Sequence, residues 1–299
     1  MDMQSNPTIV YHIGAPFTDK DQLVWSLRKD TDLLGENGIL LRRPKAFRPQ
    51  IAKLIQQLGG ADASEEEQQA LLFSIVRDQP IARLILSDAS FMGDAGAMLE
   101  NDGFFADIGP RIRHLRQVFP QAPGEIFLCI RNPALLVPEA FKAYKGGDYA
   151  DFVGNTDLLA LRWSEVIDRI QMSNPSCPIT VWCNEDTPII WPDVLSKVTA
   201  IEAPVRFAGE LDVICSIMSE EGGARLKAYL EARPQFSEKQ RRSIATIFLE
   251  KFVLEDALEE EIDLPGLTDD IVDQMSDAYD DDISVIEEMP GVTFLSGVD

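Results

Sequence analysis

Residues 8–27 read TIVYHIGAPFTDKDQLVWSL. The apolar run of residues 8–13 meets Gly14-Ala15-Pro16 and then a polar stretch, after which Leu23, Val24 and Leu27 recur at helical spacing. The pattern predicts strand, tight loop, helix. In an open α/β sheet, ligands bind in the crevice beyond the carboxyl end of such a strand. The loop has part of the shape of a phosphate cradle, in which backbone N–H groups and a helix N-terminus face an anion.

Outward from this stretch the same alternation continues. Apolar segments predict strands at residues 82–86, 125–130 and 179–183, with a short extended piece at 38–41. Between them lie helical patterns at 47–58, stopped by Gly59-Gly60, after the capping box Ser64-Glu65-Glu66-Glu67, and at 107–119, 134–144 and 156–172. Gly35 is the expected C-cap of the first helix. Strands separated by helix-length segments imply an α/β fold with a mainly parallel sheet flanked by helices. Beyond this, helices are expected at 191–198, 210–231, 238–256 and 269–287, with Ser237 and Thr268 as N-caps and Gly222-Gly223 as an interruption. GVTFL at 291–295 fits a last extended piece, and 259–267 is the best linker. The expected organisation is an α/β core over residues 1–200 with a helical C-terminal part, 201–299, packed on it.

Composition narrows the function classes. The chain has 299 residues, 45% of them hydrophobic, which is ample for a buried core. No segment approaches the ~20 apolar residues of a membrane span. The N-terminal MDMQSNP has no basic n-region, so no secretory signal is expected. The cysteines, Cys129, Cys177, Cys183 and Cys215, form no C-x-x-C pair, and two histidines give little for a metal site. Reduced thiols in a cytoplasmic protein are the expectation. The net charge of −23 works against nucleic acid and anionic membranes as partners, and against a multiply charged cofactor unless basic residues gather locally. A protein partner remains open, and the sequence does not set the oligomeric state.

Four stretches together resemble the sulfotransferase family, especially its bacterial members. His12-Ile13-Gly14-Ala15-Pro16 resembles the opening of that family's phosphosulfate-binding loop, and Ile85-Leu86-Ser87-Asp88 the strand end that follows. Cys129-Ile130-Arg131-Asn132-Pro133 resembles the start of the 3′-phosphate motif, and Trp182-Cys183-Asn184-Glu185-Asp186 a later strand end. The resemblance covers residues 8–200. It implies a P-loop-like fold that binds 3′-phosphoadenosine 5′-phosphosulfate and moves the sulfonate to a hydroxyl or amine. It places Gly14, Ala15, Pro16, Thr18, Lys20 and Arg131 at the cofactor, and leaves Asp88, His12 and Lys20 as candidate catalytic groups. Such chemistry needs cations and donors around the transferred group and a base for the acceptor's proton.

The chain departs from the family at that site. The family loop runs Pro-Lys-Thr-Gly-Thr-Thr; here it is Pro16-Phe17-Thr18-Asp19-Lys20-Asp21. Phe17 replaces the lysine, Asp19 the glycine, and Asp21 a hydroxyl donor. Against the alternative pattern G-x-x-x-x-G-K-[ST], Gly14 and Lys20 match while Asp19 and Asp21 again do not. At ~4 Å each added carboxylate opposes a phosphate by about 1 to 4 kcal/mol, depending on effective dielectric. The same acids fit the first turn of a helix, where they satisfy free N–H groups. In the 3′-phosphate motif, Glu139 stands where the family has a serine, and an ion pair of Arg131 with Glu139 or another nearby acid is the alternative to phosphate binding.

Two functional expectations follow. The first is a sulfotransferase-like protein with a diverged loop, weak or inactive in transfer, that works as a binding or regulatory protein without the cofactor. The second is an active sulfotransferase using Lys20, Thr18 and Arg131, with Asp88 as base. His12 is a catalytic candidate or a hydrogen-bonded core histidine, and Asp88 a base or a turn residue. Asp277 with Asp280-Asp281-Asp282 lacks the spacing of a calcium loop and reads as a solvated helix face.

Overall fold

The structure is a computed structural model. It describes residues 6–77, 79–202, 204–254, 264 and 266–297. The strands are β1 (Thr8–Gly14), β2 (Ile39–Arg42), β3 (Arg83–Ser87), β4 (Gly124–Ile130), β5 (Ile179–Cys183) and β6 (Val292–Leu295). They form one sheet in the order β2-β3-β1-β4-β5-β6, and every pairing is parallel. β1 is buried at every residue after Thr8, as a central strand covered on both faces must be. The chain leaves β1 toward β2 on one side and leaves β4 toward β5 on the other. The crevice between the ends of β1 and β4 is therefore a topological switch point.

Helices cover both faces. Helices α1 (Gln22–Leu27) and α2 (Thr31–Glu36) follow β1, and α9 (Thr187–Thr199) follows β5. Their Leu23, Leu27, Leu34, Trp191 and Val194 pack with Val10, Ile85, Phe127 and Trp182 of the sheet. The opposite face carries α3 (Arg48–Leu58), α4 (Glu65–Val76), α5 (Ile108–Arg116), α6 (Pro133–Ala143), the short α7 (Tyr149–Val153) and α8 (Trp163–Ser173). There Ile51, Leu71, Ile112, Leu136 and Ile167 close over Ile9, Tyr11, Ile13, Leu84 and Ile126. Each such side chain, fully withdrawn from water, contributes roughly 1.5–3 kcal/mol. α10 (Asp212–Ser216), α11 (Glu220–Glu231) and α12 (Glu238–Phe252) build a small separate core around Ile214, Met218, Leu226, Leu230 and Ala245.

The chain then returns to the sheet. α13 (Asp269–Glu287) packs on α6 and α8, and β6 joins β5 as the last strand. Residues 269–297, placed by number in the C-terminal part, thus complete the first layer set. The expected linker at 259–267 falls largely outside the described residues.

Several boundaries differ from expectation for local reasons. α2 runs through Gly35 to Glu36, and Gly38 takes the positive φ of 65° that ends it. The helix expected from residue 156 starts at Trp163, because Asp157 accepts the Leu159 N–H at 3.0 Å and holds a separate turn. The helix expected over 210–231 is split: the Ser219 N–H donates to Phe252 O at 2.8 Å, and Ser219 Oγ accepts from Gly222 N at 3.2 Å. Gly222 and Gly223 are consequently helical rather than an interruption. A Cβ on Gly222 would lie 2.4 Å from the Phe252 Cβ, so glycine is what lets α11 and α12 approach. Asp282 is not on a solvated face. It is 3% exposed and accepts the Ser164 N–H at 3.0 Å in the first turn of α8.

Candidate functional site

The site at the carboxyl edge of the sheet begins where β1 ends. Gly14 has φ +120°, and a Cβ there would stand 3.0 Å from Pro16 N and 3.4 Å from Ala89 Cα. The loop can pass over the turn after β3 only with glycine at this position. Ala15 N–H donates to Cys129 O at 2.7 Å, tying the loop to β4, and Thr18 Oγ1 donates back to Ala15 O at 2.7 Å. Arg131, 5% exposed, donates from Nη1 to Phe17 O at 3.0 Å. Gly14, Ala15, Pro16, Thr18 and Arg131 are thus brought together around one loop. Lys20 lies at its exposed outer turn.

The loop holds its own carboxylate. Phe17, Lys20 and Asp21 all take left-handed φ, at 65°, 46° and 64°. Such non-glycine conformations cost about 1 kcal/mol or more each and persist only where surroundings impose them. The turn they make folds Asp19 back, so that Asp19 Oδ1 accepts the Leu23 N–H at 2.9 Å while Asp19 O accepts from Gln22 N at 2.9 Å. The second acid behaves differently: Asp21 makes no side-chain cap bond, and only its carbonyl accepts, from Trp25 N at 3.0 Å. Burial, more than the nearby Asp21 charge, pushes the Asp19 carboxyl from 3.8 up to about 7, although the Leu23 amide pulls the other way.

A second carboxylate serves the neighbouring helix start. Asn132 caps α6 through its side chain, which accepts from Ala134 N at 2.9 Å. Its own N–H donates to Glu185 Oε1 at 3.0 Å, and the Tyr279 hydroxyl donates to Glu185 Oε2 at 3.1 Å. Burial raises the Glu185 carboxyl above its ordinary value. Glu139 is bound by Lys142 at 2.6 Å. Its carboxyl is held below the usual range first by the Lys142 hydrogen bond and, less, by the charges of Arg131 and Lys20.

The remaining candidates sit beside the loop. His12 is 2% exposed, with Nδ1 2.8 Å from Ser87 Oγ and its ring stacked on Trp182 at 5.8 Å between centroids. Burial lowers it from 6.5 to about 4, so the ring is neutral at physiological pH. Asp88 is 3% exposed and already engaged. Arg48 donates to both its oxygens, at 2.6 and 2.7 Å, and Ser90 donates to Oδ1 through N at 3.0 Å and Oγ at 2.6 Å. The turn-residue reading of Asp88 describes this geometry, and proton abstraction would first require the Arg48 pair to open. All four cysteines are free thiols; burial pushes Cys177 up to about 11 and Cys183 up to about 12, away from thiolate chemistry. Among the described residues, no cluster of His, Cys, Asp or Glu is arranged to hold a metal ion, and no helix is long and apolar enough to cross a membrane.

The sequence reading missed Arg48 and the role of Glu185. Glu185 carried a signal, since it follows a strand adjacent to β4 and so lies at the same sheet edge. Arg48 carried none: it is 40 residues from Asp88 and meets it only through tertiary packing. In comparisons with known proteins, no family model matches the chain and no curated protein matches it.

Proposed function

We propose that this chain is a sulfotransferase-like protein whose phosphosulfate loop has been closed by its own side chains, and that it works as a binding or regulatory protein rather than as an efficient enzyme. One observation carries the reading. Where the resemblance calls for bound anions, chain carboxylates already accept the backbone donors: Asp19 at Leu23 N and Glu185 at Asn132 N. A nucleotide would have to displace a carboxylate and then remain beside it, which opposes binding by several kilocalories per mole at close range. The candidate base, Asp88, is likewise consumed by Arg48 and Ser90.

The second reading, an active enzyme using 3′-phosphoadenosine 5′-phosphosulfate, draws support from Lys20. This residue forms no ion pair with Asp19 or Asp21 among the described residues, and its charge acts on Glu139 near Arg131. Calorimetric titration with 3′-phosphoadenosine 5′-phosphate at low and moderate salt separates the two. Absence of binding at millimolar ligand is the expected result. Micromolar binding that is lost in Lys20→Ala and Arg131→Ala would overturn the closed-loop reading in favour of the enzyme.

A further inference from the structure

The sheet has an open edge at β2. Among the described residues this strand pairs only with β3, so half of its backbone N–H and C=O groups face away from the sheet. Along that edge runs a groove of about 640 Å³. Its lining includes Leu34, Ile39, Leu40, Leu41 and the 79–81 segment. The charged residues lining it are Arg28, Arg42 and Arg43, with no Asp or Glu among them. In a chain of 50 acidic and 27 basic residues this local reversal of sign is a specific feature.

An exposed aromatic adjoins the groove. Trp25 is 54% exposed, whereas Trp163, Trp182 and Trp191 are at most 1% exposed. The guanidinium of Arg28 lies 5.6 Å, and that of Arg43 5.2 Å, from the centre of its ring. The Arg42 side chain is turned back, its Nε donating to Ile75 O at 3.0 Å. Arginines at an edge discourage pairing with a second copy, but a guard needs no exposed indole. An indole flanked by two guanidiniums instead offers an apolar face and two carboxylate-binding forks side by side.

We propose that the β2 edge is a docking site for an acidic polypeptide segment in extended conformation, which adds to the sheet beside β2. Its backbone pairs with the outward groups of β2; on the sheet face of Leu41 its carboxylates meet Arg28 and Arg43, and its alternate apolar side chains lie beside Leu40 on the opposite face. A polypeptide fits better than a nucleic acid, because the edge presents backbone donors and acceptors at strand spacing, which a second peptide backbone matches and a sugar–phosphate chain does not. The groove contains none of residues 14–21, so the proposal stands or falls independently of nucleotide binding.

The test uses the full chain and the pentapeptide acetyl-Glu-Val-Glu-Val-Glu-amide. Acrylamide quenching of Trp25 fluorescence reports occupancy, and amide exchange at Ile39–Arg42 reports strand addition. The expected result is protection by both measures, weakened about tenfold in Arg28→Glu with Arg43→Glu and by moderate salt. A peptide N-methylated on alternate residues is expected to lose the protection while keeping its charge. Equal binding of the N-methylated peptide would overturn strand addition. No protection at millimolar peptide, or preferential protection by single-stranded oligothymidylate, would overturn the proposal altogether.

Discussion

Asp19 Oδ1 accepts the backbone N–H of Leu23 at 2.9 Å, so the loop after β1 closes on its own helix. The contact is local in sequence, yet it depends on three left-handed residues around it. It also makes the loop's protonation state part of the protein's stability.

Asp19 should therefore weaken the fold as pH rises. Its carboxyl stands at about 7 in the folded chain against an ordinary 3.8. Below the lower value both states hold the proton; between the two values the folded state alone holds it, so its contribution is present at low pH and lost as pH climbs toward 7. Asp19→Asn keeps an acceptor for Leu23 N–H without the charge. In thermal melts it is expected to match the wild type near pH 4 and exceed it at pH 8.

His12 should act in the opposite sense. Its folded value of about 4 lies below the ordinary 6.5, so stability is complete above 6.5 and falls as pH drops from 6.5 to 4. With only two histidines in the chain, NMR titration can follow each ring. The His12 resonance is expected to keep its neutral position through pH 5; a midpoint near 6.5 would contradict a ring sealed under Trp182.

Replacing the loop acids should open the cradle. Asp19→Gly with Asp21→Ser removes both carboxylates and is expected to bind 3′-phosphoadenosine 5′-phosphate about tenfold or more tighter than the wild type, as read by calorimetry. Unchanged affinity would show that the loop acids are not what keeps the nucleotide out.

Asp88 should be structural in its effects. Its side chain is almost fully buried while that of Arg48 is half exposed, so Asp88→Ala is expected to cost about 2 kcal/mol in urea unfolding, less than breaking a fully buried pair. Arg48→Ala should reproduce a large part of that loss.

Among the C-terminal acids, only Asp282 should matter to stability. Asp282→Ala removes the cap of α8 and is expected to cost about 1–2 kcal/mol in urea unfolding. Asp280→Ala and Asp281→Ala, at exposed positions, should stay within about 0.5 kcal/mol.

The sequence by itself determined the alternation of buried strands and amphipathic helices. Periodicity and capping are local properties: β5 at Ile179–Cys183, α13 at Asp269–Glu287, the Ser64 capping box and the Ser237 N-cap all follow from residues a few positions apart. It also located the loop at Gly14, because only glycine tolerates that turn against Ala89. Tertiary structure alone decided which strands are neighbours, that β6 joins β5, and that the helix expected over 210–231 breaks at Ser219 against Phe252. It likewise decided the partners of the polar groups: Arg48 for Asp88, Glu185 for Asn132, Asp282 for Ser164. A buried carboxylate must find donors, and the donors nearest in space are set by packing rather than by spacing along the chain.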